Sequence, residues 1–130
     1  MTMSRFVRRA SAAATGLLIA GITFVTAGAP QAAAAGHGAG FYGVWADNVS
    51  VRADSSEECD LYPGPGNCPR VIDHVNSWSV VKVFCQNGTG TVVGGNPYWL
   101  WVSTPNGIYG WMASYYVENA TNRIDGLEDC

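Results

Sequence analysis

The sequence has 130 residues, 13% of them charged and 48% hydrophobic, with 16 Gly and 4 Cys. One ordinary domain fits this length and two do not, which excludes a large enzyme or a multidomain receptor. Eleven of the 16 Ala residues fall in the first 35 positions; beyond them aromatics are dense and low-complexity tracts absent, which excludes a disordered tail.

Residues 1–35 read as a secretory signal peptide. Arg5, Arg8 and Arg9 form a positive end, Leu17 to Val25 an apolar centre, and Ala32 to Ala35 a run of small residues where a signal protease cuts. Gly21, Thr23 and Thr26 interrupt the apolar centre, whereas a spanning helix needs about 20 consecutive apolar residues. Cleavage is expected between Ala32 and Gly36. No Cys lies near the cut to carry a lipid, and the residues after Arg8-Arg9 lack the apolar partner of a twin-arginine signal. A secreted protein, extracellular or cell-wall associated, with no membrane contact after cleavage, is the expectation.

From Gly36 onward four cations (Arg52, Arg70, Lys82, Arg123) face ten acids, a net charge of −6. Such a domain lacks the basic stripe that phosphate backbones require, so nucleic acid is a poor partner. All four Cys (Cys59, Cys68, Cys85, Cys130) lie in this exported part. An even number in an oxidising compartment implies two disulfides, for which three pairings exist. Cys59 and Cys68 bracket a Pro/Gly-rich loop that folds back easily, which favours 59–68 and leaves 85–130. Neither a Cys-x-x-Cys pair nor closely spaced ligands accompany His74, so no structural metal is expected, and no cofactor is implied.

Along the exported chain, Gly36–Gly43 reads as a flexible Gly-rich lead. Val49 and Val51 alternate with polar neighbours as a half-buried strand. Asp54 to Pro69 reads as a long acidic loop and Val71–Val75 as a short strand. Val80–Gln86 is the strongest strand, with Val81, Val83 and Cys85 on one face and Val80, Lys82 and Phe84 on the other. Tyr98–Ser103 sets Trp99 and Trp101 opposite Leu100 and Val102. Asn106-Gly107 predicts a type I′ hairpin into Ile108–Met112. Ser114–Tyr116 reads as a tight turn before a last strand, Val117-Glu118. Five or six short strands in ~80 ordered residues, with no sustained helical period, predict an all-β barrel or sandwich. A core this small needs the two disulfides.

The order of these residues resembles a bacterial SH3 (SH3b) domain. NVSVRADSS is similar to the family's opening strand, and VIDHV with NSWSVVKVFCQ to its second strand, turn and central strand. GGNPYWLWV, the Asn-Gly turn and YGWMASYYV resemble its closing strands. The resemblance spans residues 44–118 and implies a small SH3-like barrel, with residues 119–130 as a C-terminal tail. Small secreted actinomycete-type members share a central-strand Cys followed by Gln and a Cys at the extreme C-terminus. Cys85-Gln86 and Cys130 fit that arrangement, so the resemblance implies a tail fastened by the 85–130 bridge. Ala53 and Asp54 depart from the family's Ser-Gly, and the first long loop is enlarged.

No Gly-x-Ser-x-Gly elbow is present, and a Cys–His dyad of the peptidoglycan endopeptidase kind would need an unbridged Cys. The acids between Asp47 and Asp73 read as a solvated loop rather than as paired catalytic carboxylates. A non-catalytic module is therefore expected. Thirteen aromatics remain after the cut, and an exposed pair on one strand beside an acidic loop is how SH3-like barrels grip short peptides. Trp99 and Trp101, with Tyr62 and Tyr98, are the candidate ligand contacts. The acidic charge favours cell-wall peptides carrying free amines, such as Lys- or diaminopimelate-containing stems, or a protein partner, bound by a monomer. The alternative is a secreted inhibitor or toxin-like effector that inserts the Cys59–Cys68 loop.

Overall fold

The computed structural model describes residues 36–130; the signal segment expected over 1–35 lies outside them. Six strands, β1 (Gly40–Gly43), β2 (Val49–Ala53), β3 (Arg70–Val75), β4 (Val80–Asn87), β5 (Trp99–Ser103) and β6 (Tyr109–Ala113), form one sheet. Its order is β1-β4-β5-β6-β2-β3, with every neighbour antiparallel. The fold is all-β, as the alternation predicts. Both edge strands feed one core. Tyr42 of β1 and Val75 of β3 join Val51, Val81, Val83, Leu100, Val102 and Met112 in a single buried cluster. A sheet whose two edges share a core is rolled into a barrel-like form.

Three elements differ from the sequence reading. The lead is expected to be flexible over residues 36–43, yet its end is β1, paired with β4 from Gly40↔Val83 to Gly43↔Val80. Two apolar residues between glycines, Phe41 and Tyr42, are too short a run to register as alternation. The expected last strand reduces to a single bridge, Val44↔Val117, after a 3-10 turn over Ser114–Tyr116. The acidic loop contains a short helix, α1 (Glu57–Leu61). The Ser56 hydroxyl accepts from the Cys59 amide at its N-terminus, and Glu57, Glu58 and Asp60 lie in its first turn, where carboxylates suit the helix dipole.

The β5–β6 hairpin also departs from type I′. Only Gly107 has positive φ (77°), and Asn106 does not. Gly107 N–H donates to Thr104 O at 2.9 Å and Thr104 N–H to Ile108 O at 2.8 Å. Pro105 fixes the negative φ of a type I turn, and Gly107 supplies the left-handed residue that ends it. Gly110 is required by close approach: a Cβ there would stand 2.8 Å from Arg52 O.

A bulge in β4 governs the C-terminus. Val83 faces Val102 and Cys85 faces Trp101, so Phe84 is an extra residue. The insertion reverses the inside–outside alternation beyond it. Gln86 therefore turns inward, fully buried, and Cys85 leaves the core face that the unbroken alternation predicts. The Gln86 amide donates to Ile124 O and Leu127 O, both at 3.0 Å, and accepts from Ile124 N–H at 2.9 Å. The tail is thus held by a buried polar clamp, by Ile124 and Leu127 in the core, and by the Cys85–Cys130 disulfide. The second bridge is Cys59–Cys68, so the near-with-near pairing is the one formed.

Candidate ligand-binding groove

Strands β5 and β6 are apolar on both faces, and the outer face needs its own cover. Trp99, Trp111 and Ala113 pack beneath the Cys59–Cys68 loop as a second core. Trp99 is 3% exposed, and its indole N–H donates to Thr91 O at 2.8 Å. Trp111 is equally buried and donates to Asp60 Oδ1 at 3.1 Å. Both cysteines of the loop are fully buried. The bridged loop is a lid over two tryptophans, and the exposed aromatic pair expected on β5 is absent because this lid covers one member.

Trp101 lies where the lid ends. It is half-buried, directly across from Trp111, with ring centroids 5.3 Å apart in an edge-on arrangement. Leu61 at the end of α1 and the Cys85–Cys130 disulfide share a hollow with it. The hollow holds about 440 Å³ and is lined by Asp60, Leu61, Cys85, Trp101, Trp111 and Cys130. A second hollow of about 460 Å³ shares Leu61 and Cys130 and adds Tyr98, Asn87, Thr89 and Asp129. Together they make a groove with apolar and aromatic lining, one carboxylate side chain in each hollow (Asp60 and Asp129), and no Lys or Arg. The groove joins Trp101 and Tyr98. Tyr62 is exposed just beyond Leu61 but lines neither hollow, and Trp99 lies in the covered core.

Sequence reading missed four other aromatics. Trp45 is about half exposed and packs edge-on against Tyr115, centroids 5.2 Å apart, with its N–H on Tyr115 O at 2.8 Å. Tyr116 packs against both rings and itself lines a smaller cleft of about 200 Å³ with Asp47, Asn48 and Arg52. Trp78 stands alone in the β3–β4 turn, 95% exposed. Neither Trp45 nor Trp78 belongs to a strand, so no alternation pattern points to them.

Three carboxylates are held below their ordinary range. Hydrogen bonds from the Ser77 hydroxyl and amide lower Asp47, and those from Ser56 lower Asp54. The Thr104 hydroxyl, the His74 amide and Asn106 lower Asp73. Each is a loop or turn brace rather than a paired acid. All four Cys are bridged, which leaves no thiol for nucleophilic chemistry. Among the described residues no group of three or more His, Cys, Asp and Glu is gathered for a metal ion, and no helix is long and apolar enough to cross a membrane. Disulfides of this kind persist in oxidising compartments. No family model, curated protein or solved structure matches the chain.

Proposed function

We propose that the chain is a secreted, non-catalytic binding module of the SH3b type that takes a short cell-wall peptide, or a peptide segment of a protein partner, in the groove over Trp101. The observation that carries this reading is the composition of that groove. Its apolar lining is indole, Leu61 and disulfide, while the charged side chains in it are Asp60 and Asp129. Aliphatic and peptide groups of a ligand would desolvate on the ring faces. A free amine would meet a carboxylate without a competing cation, and the −6 charge of the exported chain adds attraction at longer range. The resemblance over residues 44–118 supports the same reading, as does the rolled antiparallel sheet.

The alternative, a secreted inhibitor or toxin-like effector acting through the Cys59–Cys68 loop, is less well supported. Pro63, Gly64 and both cysteines of that loop are buried, the cysteines in one cluster with Trp99 and Trp111. The loop is thus anchored as cover, and its exposed residues, Asp60 to Tyr62 and Pro65 to Asn67, are held in place rather than free to insert as a unit.

The test is retention of the mature chain on purified peptidoglycan, with release by a soluble amine-bearing stem peptide. Trp101→Ala removes the indole from that lining and weakens retention by roughly tenfold, the worth of about 1.4 kcal/mol of ring contact. Failure of the wild-type chain to be retained, or full retention of Trp101→Ala, overturns the proposal.

A further inference from the structure

Trp78 occupies the third position of the Asn76–Ser79 turn, where Ser79 N–H donates to Asn76 O at 2.8 Å. Its φ is 84°, a left-handed value that belongs to glycine or asparagine in a type II turn and is costly for a bulky side chain. The indole is 95% exposed and so returns no burial for that strain. The turn is nonetheless firmly mounted. Asp47 Oδ1 accepts from both the amide and the hydroxyl of Ser77, at 3.0 and 2.7 Å. Asn76 Oδ1 accepts from Asn48 N–H at 2.8 Å, and Asn48 itself has a φ of 56°. One strained residue, braced by the polar side chains around it, holds its aromatic ring in water. Local strain kept where it does nothing for folding points to a role outside folding.

We infer that Trp78 is a stacking platform for a neutral pyranose ring of a glycan. The ring is open to ligand on all sides. Its turn neighbours Asn76, Ser77 and Ser79 are polar, and Asp47 and Asn48 adjoin them through the bracing hydrogen bonds. The Asp47 Oδ2 and Asn76 Nδ2 atoms take no part in those bonds, which suits sugar hydroxyls. A protein hot spot differs, because its anchor ring sits among apolar neighbours that exclude water. An anionic polymer or lipid surface is disfavoured by the acidic charge. This site is separate from the groove over Trp101 and does not depend on it.

The experiment titrates the mature chain with two soluble probes, a β-1,4-linked N-acetylglucosamine oligomer and a glucose oligomer. The readouts are tryptophan emission and the Trp78 indole N–H resonance. Binding of either probe with a blue shift supports the proposal, and the preferred probe identifies the sugar source. Trp78→Gly loses roughly tenfold or more in affinity, Trp78→Phe keeps part of it, and Trp101→Ala leaves it unchanged. Because glycine relieves the positive φ, Trp78→Gly also unfolds at a higher temperature than the wild type. Absence of binding to both probes, as expected if the ring inserts into a protein pocket instead, overturns the proposal. So does wild-type affinity in Trp78→Gly, or a loss of stability in that variant, which would make the residue structural.

Discussion

Gln86→Leu is the sharpest probe of the β4 bulge. The substitution keeps side-chain volume nearly constant but removes three hydrogen bonds to a fully buried site. Ile124 N–H is left without its acceptor and Leu127 O without its donor. Ile124 O still accepts from Leu127 N–H at 3.3 Å. Two orphaned buried groups cost about 1–3 kcal/mol each, offset by roughly 1 kcal/mol for burying a methyl in place of an amide. The net loss is about 1–5 kcal/mol, at roughly 4–8 °C in Tm per kcal/mol for a domain of this size. The Cys85–Cys130 bridge still tethers the tail, so the loss is concentrated at Ile124 and Leu127. Urea denaturation gives the free energy, and amide exchange at Ile124 locates it. A loss below about 1 kcal/mol, with Ile124 as protected as in the wild type, would refute the clamp.

Trp99→Ala destabilises by about 3–5 kcal/mol because it empties the second core, while Trp101→Ala costs less than half as much; thermal melts of the two variants separate the covered core from the open groove. In the chain-entropy model, removing Cys85–Cys130 (sequence separation 45) costs about 4 kcal/mol and removing Cys59–Cys68 (separation 9) about 3 kcal/mol. Denaturant midpoints of the two double-alanine variants check that order, and a reversed order contradicts it. Acid weakens the fold. Asp47, Asp54 and Asp73 have folded pKa values below their ordinary 3.8, so their contribution is complete above that value and disappears as pH falls through the lowered ones. Melting temperature should be level down to about pH 5 and drop below about pH 4, with a shallower drop in Asp73→Asn; an unchanged slope in that variant would discount the Thr104 and Asn106 bonds.

The strands that line the core were legible because period-2 alternation survives in them: Val49/Val51, Val81/Val83 and Leu100/Val102 all face inward. Alternation fails wherever a residue is inserted. Phe84 in the bulge carries no sequence mark, so Gln86 reads as a surface residue when it is the polar centre of the core. The site was half legible for a related reason. Trp99 and Trp101 are chemically identical on one face of β5, and only the path of the Cys59–Cys68 loop decides which is covered. That path depends on α1 and its Ser56 cap, whose five residues are too few to show a helical period. Trp78 was illegible for the opposite reason, because a bulky residue at positive φ contradicts turn propensity.

The most direct measurement of the groove account is an NMR titration of residues 36–130 with a short amine-bearing peptide, mapped residue by residue. The account predicts that shift changes cluster at Leu61, Tyr98, the Trp101 indole, Asp129 and Cys130, and disappear in Trp101→Ala. Changes gathered instead at Trp45, Tyr115 and Tyr116, or no change at saturating peptide, would contradict it.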